Sequence, residues 1–217
     1  MTVCLLLSTE EIICNPLNPS FSTSCQAIRA IPTNVLNEGR ELPADRDLRG
    51  LFQSQQRADK YTVFVPNNKA WERLDLPFEL DLNGDLTSEQ VTFLRYVIFY
   101  HIIGNNQVIS FDDLKCNQKH RMLNGIDTQT RCSTNRNNNV ISKYQIGSSN
   151  SAFGNNDDDN EDSDIVVLGK KAPKIFKSKL ASNGIVHAVT NVILPDFDNL
   201  VTDTGVPSDV PSLAPSK

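Results

Sequence analysis

Few residues of this 217-residue chain could do chemistry: His101, His120 and His187, five cysteines at 4, 14, 25, 116 and 132, one acidic run and one lysine run. A hydrolase would need a histidine beside a nucleophile and an orienting carboxylate. The chain has no Gly-x-Ser-x-Gly elbow, phosphate loop, His-Glu-x-x-His or dinucleotide fingerprint, so it points away from an enzyme and no cofactor is expected. His101 and His187 fall inside apolar stretches, where a neutral imidazole can donate one ring hydrogen bond and accept another. Both are expected to be structural.

The cysteines form no Cys-x-x-Cys pair, and no histidine stands at a zinc spacing, so disulfides and an oxidising compartment are expected in place of a metal. The acidic residues Asp157, Asp158, Asp159, Glu161, Asp162 and Asp164 make no EF-hand loop, because the glycine at its sixth position and the glutamate at its twelfth are missing. Residues 147–164 have almost no apolar content and read as a disordered insert. Their charge hides the balance of the rest. The chain carries 21 basic and 26 acidic residues, and without those six acids 21 basic face 20 acidic, which leaves no basic excess to mark a nucleic-acid partner. Lys170, Lys171, Lys174, Lys177 and Lys179 follow the acidic run. Their bland reading is a solvated strand surface. The sharper one is a site for an acidic polysaccharide, although strand alternation would spread them over two faces unless Pro173 resets the register.

The element that must position these residues is the run from Asn183 to Pro195. It opens on an Asn-Gly turn, continues in β-branched residues and stops at proline, so it predicts one long strand, apolar on both faces, through the middle of the domain. Upstream, Ser20 or Ser22 can cap a short helix carrying Phe21, Cys25, Ile28 and Ile31, and Leu48, Leu51 and Phe52 suggest another. Tyr61 to Val65 predicts a strand stopped by Pro66, with Asn67 capping the helix that follows. Thr87 with Gln90 makes a capping box for a helix over 88–103, buried nearly all round and ended by Gly104. Beyond it come a hairpin turning at Asn124-Gly125 and short strands at 140–146, 165–168 and 175–176. Residues 1–10 make a poor signal peptide, with five apolar residues and no basic region, and no stretch is long enough for membrane insertion. The tail, 198–217, repeats Pro-Ser and reads as a linker or stalk.

Three motifs in order resemble those of the fasciclin domain family. Tyr61 to Trp71 is similar to its first motif, Tyr100-His101 to its central Tyr-His pair, and Asn183 to Pro195 to its closing motif. The resemblance covers roughly 11–197 and implies an α+β fold, a β-sandwich-like wedge with several packed helices. The positions that carry it as structural residues are Thr62, Val63, Phe64, Pro66, Asn67, Ala70, Asn183, Gly184, His187 and Pro195. It also implies a non-enzymatic module for adhesion or matrix attachment, extracellular or at the cell surface. Its partners would be extracellular proteins or polysaccharides, or other fasciclin-like domains. A cell-wall structural or acidic-polysaccharide-binding module is the alternative, and a hydrolase the third reading. The family links residues around its Tyr-His pair to receptor binding, which gives Tyr100 and His101 a second reading as binding residues. Val65, Asn67, Trp71 and Thr190 depart from the usual motif residues but keep apolar volume or capping capacity.

A three-residue loop Leu123-Asn124-Gly125, with Gly125 left-handed, would set Met122 opposite Ile126 and Cys116 opposite Cys132. A disulfide is expected there, worth about 3 kcal/mol by loop closure, with Cys14–Cys25 as the second pair and Cys4 left over. Non-reducing peptide mapping of the secreted chain should recover Cys116 and Cys132 in one linked pair; Cys116 free would overturn the pairing.

Overall fold

The computed structural model describes residues 7–31, 60–74, 76, 78, 80–134, 141–148, 166–167 and 170–195. The expected helix around Leu48, Cys4, most of the acidic insert and the Ser/Pro-rich tail lie outside the described residues. In chain order the elements are α1 (Thr9–Ile13), a 3-10 turn (Pro19–Phe21), α2 (Ser22–Ala30), β1 (Tyr61–Pro66), α3 (Asn68–Glu72), α4 (Ser88–Phe99), β2 (Ile102–Ile103), β3 (Lys119–Arg121), β4 (Asp127–Thr134), β5 (Ile141–Ile146), β6 (Val166–Val167), β7 (Lys170–Lys171), β8 (Lys174–Ala181) and β9 (Gly184–Val189). The fold is α+β.

β1 and β9 pair in parallel, from Tyr61 opposite Gly184 to Pro66 opposite Val189, and every residue of both strands is buried. Parallel strands need cover on both faces, and here each face has its own core. On the outer side Val63, Val65, Val186 and Ala188 pack with Ile13, Phe21, Ile28, Trp71, Leu94 and Val97 of the helical layer. On the inner side Phe64 and Val189 pack with Tyr100, Ile103, Leu114, Met122, Ile175 and Ile193.

The main sheet has seven strands in the order β2-β1-β9-β8-β5-β4-β3. Its two ends meet: Ile103 of β2 bridges Met122, just past β3, and the Leu123 N–H donates to the Ile102 carbonyl at 2.8 Å. In place of a sandwich of two stacked sheets, one mixed sheet rolls nearly closed around the inner core. Four α-helices accompany it among the described residues, and two of them are five residues long.

The structure corrects three local expectations. The closing strand ends at Val189, about halfway, because Thr190 turns aside to exchange hydrogen bonds with the backbone of Lys174. The long helix ends at Phe99: Phe64 N–H takes the His101 carbonyl at 2.8 Å and Ile102 pairs with Val63, so sheet pairing overrides the helical period and Gly104 caps nothing. No serine side chain caps α2; Ser22 Oγ instead accepts from Asn68 Nδ2 at 2.9 Å. The other two caps match their expected chemistry. Asn67 Oδ1 accepts the Ala70 N–H, and Thr87 and Gln90 form a complete capping box.

The β3–β4 hairpin has the register derived from its turn: Lys119 opposite Gln129, His120 opposite Thr128 and Arg121 opposite Asp127, with Gly125 at φ 83°. Cys116 and Cys132 are bonded with Cα atoms 5.4 Å apart, and Cys14 and Cys25, at 5.1 Å, tie the end of α1 to α2.

Gly184 opens β9 at φ 150°, and a Cβ there would run into the Tyr61 carbonyl of the neighbouring strand. Gly184→Ala should therefore lower stability by about 3 kcal/mol or more. At Gly125 only conformation opposes alanine, and Gly125→Ala should cost about 1 kcal/mol. Chemical denaturation of the two variants checks that order.

Candidate functional site

The family-motif residues converge on the β1–β9 seam and turn inward. Thr62 Oγ1 donates to the Gln107 carbonyl at 2.8 Å and accepts from Ile109 N–H at 2.9 Å, fixing the loop after β2. The Ile109 carbonyl then accepts from His187 Nε2 at 2.8 Å, so His187 Nδ1 carries the lone pair and accepts from Ser178 Oγ at 2.7 Å. The ring stacks on Phe64 with centroids 5.4 Å apart. Asn183 Oδ1 accepts both the N–H and the hydroxyl of Thr9, which anchors α1 to the start of β9. Pro195 is buried where the closing segment ends. Trp71, where the family usually has phenylalanine, satisfies its indole N–H on Ser24 Oγ at 2.8 Å.

His101 is the mirror case. Its Nδ1 donates to the Val97 carbonyl at 2.7 Å and its Nε2 accepts the Ile193 N–H at 2.9 Å, so the neutral ring joins the last turn of α4 to the closing segment. Tyr100 accepts from Ser148 N–H at 2.8 Å and donates to the Asp127 carbonyl at 2.9 Å. Their relative exposures are 0% for Tyr100 and 4% for His101, so neither can touch a partner from inside this fold.

The Ser178–His187 hydrogen bond has the form of a nucleophile and its base. What lies beyond the ring is a carbonyl, not a carboxylate, so no counter-charge stands on that side to balance an imidazolium. Burial lowers the His187 pKa, and the charge of Lys143 adds to the fall. Lys143 is itself buried on β5; it donates to the carbonyls of Phe111 and Asp112 and lies 4.8 Å from the Phe111 ring centre. No group of histidines, cysteines and carboxylates among the described residues is arranged to hold a metal ion. None of their helices is long and apolar enough to cross a membrane.

The lysine run divides. Lys170 and Lys171 form β7, which pairs with β6 apart from the main sheet. Lys174, Lys177 and Lys179 lie on β8, where a bulge between Ile175 and Lys177 resets the alternation, a role the sequence assigned to Pro173. Ile175 faces the inner core and Ser178 faces His187, so all three lysines point outward, and all three are exposed. Across the ladder, Lys177 and Lys179 oppose the buried Ala188 and Val186, which shows that the helical layer covers β9 and stops short of β8.

Sequence reasoning missed the outward residues of the neighbouring strands. Lys119, Arg121 and Arg131 share the outer face of β3 and β4, and Tyr144 sits on β5 between Arg131 and Lys174 in register. The signal was present, since the hairpin register with strand alternation gives the outward set once His120, Thr128 and Thr130 are assigned inward.

The buried histidines make stability depend on pH. Burial holds His101 down at about 4, against 6.5 for a free ring, and lowers His120 and His187 as well. Below pH 6.5 the unfolded chain binds protons that the folded chain refuses. Stability is therefore full above that value and falls as the pH drops towards 4, with His101 alone contributing a loss of about 2 kcal/mol at pH 5. Denaturant titrations at pH 7.5 and 5 check this, and His101→Gln should be less stable at pH 7.5 yet lose less on acidification.

The family model for the fasciclin domain matches residues 41–195. Among solved structures, the chain is similar to a FAS1 domain pair from the insect cell adhesion molecule Fasciclin I, with a TM-score of 0.51 and 11% identity over 88% of this chain. It spans 51% of that chain, about half. No curated protein matches it. The matched segment runs from upstream of β1 to the end of the closing motif and takes in the seam, both hydrogen-bonded histidines and the whole rolled sheet: this chain belongs to the fasciclin domain family.

Proposed function

We propose that this chain is a non-enzymatic extracellular module for adhesion or matrix attachment, which engages protein or glycan partners through its surface. The observation that carries this is the direction in which its polar chemistry faces. His101, His187, Tyr100 and Lys143 turn inward and are spent on holding backbone, while the outward charged groups of β8 are cations with no carboxylate bonded to them among the described residues. Such a surface binds without a preformed pocket for chemistry. Its single contacts are weak, and linkage to other fasciclin-like domains would raise the effective concentration without new contacts. In this reading residues 11–197 are the module, 147–164 an acidic insert and 198–217 the linker. The two disulfides suit an oxidising extracellular setting.

Lys174, Lys177 and Lys179 favour one refinement, an acidic-polysaccharide-binding or cell-wall module in which the acidic run 157–164 competes with the ligand as a tethered charge. At low salt the intact chain should be retained on a carboxylated or sulfated polysaccharide column, and near 1 M, where the Debye length is about 3 Å, it should elute. Deleting 157–164 should lengthen retention, and changing Lys170, Lys171, Lys174, Lys177 and Lys179 to glutamine should remove it. Equal retention of all three forms would leave the lysines as solubility residues only.

A further inference from the structure

The helical layer leaves the outer face of β3, β4, β5 and β8 uncovered among the described residues, and register places its side chains in rows. Arg131 opposes Tyr144, and Tyr144 opposes Lys174, so a cation, an aromatic ring and a cation lie side by side across three strands. Adjacent strands are about 4.8 Å apart, which sets the Cα atoms of Arg131 and Lys174 about 10 Å from each other with Tyr144 between them. Lys119, two positions beyond the residue paired with Arg131, continues the basic face onto β3 and borders a cleft of about 510 Å³ that Arg121, Gln129 and Arg131 also line. Asp127, the acid in that cleft, is engaged by Arg121 at 3.4 Å. At the other end the β8 bulge exposes Phe176, 49% accessible, between Lys174 and Lys177.

Arg131 is held in place. Its Nη1 donates to Asn117 Oδ1 at 2.9 Å, while the Asn117 carbonyl accepts from Gln129 Nε2 at 2.9 Å and its N–H donates to the Thr130 carbonyl at 2.7 Å. Asn117 adopts φ 64°, and its neighbour Cys116 is bonded to Cys132, next to Arg131. The partner that orients the guanidinium is neutral. Its charge therefore stays available, and the bond favours one rotamer before any ligand arrives.

We infer that this face is a binding site for an acidic polysaccharide, centred on the Arg131–Tyr144–Lys174 row with Lys119 and Lys177 at its ends. The inference rests on the polysaccharide refinement above and moves its centre from the lysine run to the hairpin. The cations meet carboxylate or sulfate groups, and the faces of Tyr144 and Phe176 take the apolar sides of sugar rings between them. The disulfides favour this polyanion over nucleic acid, because they place the chain where carboxylated and sulfated polysaccharides are the polyanions at hand.

The test compares the full chain with K119Q/R131Q, with K174Q/K177Q/K179Q and with K69Q/R73Q, which removes two exposed charges from α3 and from the residue that caps its C-terminus. Binding to polygalacturonate, to heparin and to a single-stranded oligonucleotide is measured at about 0.1 M salt, where the Debye length is about 10 Å. K119Q/R131Q should weaken binding to at least one polysaccharide by about tenfold or more, and K69Q/R73Q by less than about twofold, with melting temperatures close to that of the parent. Equal losses in the two double variants would reduce the effect to net charge and overturn the site. Unchanged binding in K119Q/R131Q with loss in K174Q/K177Q/K179Q would overturn it while leaving the β8 refinement standing. Oligonucleotide binding as tight as polysaccharide binding would overturn the assigned partner. An intact chain that binds neither polysaccharide would remove both proposals together.

Discussion

The parallel pairing of β1 with β9 is the constraint on which the rest of this structure depends. Two strands far apart in sequence lie side by side with all their residues buried, and parallel neighbours cannot be joined by a hairpin. Everything between Pro66 and Gly184 is in effect one long crossover. It has to cover the outer side of the pair with α3 and α4, then return along the inner side by rolling the remaining strands round it. Gly184 is the point at which the pair permits no side chain, because the Tyr61 carbonyl occupies the space one would need.

Polar side chains hold that crossover in place, and they do so in opposite tautomers. His101 donates from Nδ1 and accepts at Nε2, whereas His187 donates from Nε2 and accepts at Nδ1. Each links elements that the sheet ladder does not join: α4 to the closing segment in one case, β8 to the loop after β2 in the other. A net hydrogen bond stabilises by only about 1 kcal/mol, but a buried carbonyl or N–H left without its partner costs about 1–3 kcal/mol. The histidines therefore specify the arrangement more than they strengthen it. Lys143 follows the same logic, with carbonyls and an aromatic face standing in for a counter-ion.

What the sequence disclosed follows from how local each signal is. The Thr87–Gln90 box, the Asn67 cap and the Asn124-Gly125 turn each depend on a few adjacent residues, and the hairpin register that aligns Cys116 with Cys132 follows from the turn alone. Where pattern failed, a distant partner had intervened. The helical period running through Tyr100 to Ile103 was broken by pairing with β1, and the apolar run after Val189 was bent by Lys174. The rolled sheet could not be read from alternation, because closure is decided by Ile103 and Met122, which no local rule connects. For the candidate site, the lysines were visible as a run, but the bulge that aligns them and the Arg131 row beside them required the ladder.

The meeting of β2 and β3 bears on how such a module can behave when many copies are crowded together. A sheet that ends in open strands offers unpaired N–H and C=O groups, on which a neighbour can add a strand or exchange one. Here the terminal strands are two and three residues long and are bridged to each other. Strand addition at those two ends of the main sheet is thereby closed off as a mode of contact. Copies brought close together therefore meet the side chains of the outer faces at that seam, where charge can keep contact reversible, and not the open backbone by which dense arrays of β-proteins seize into aggregates.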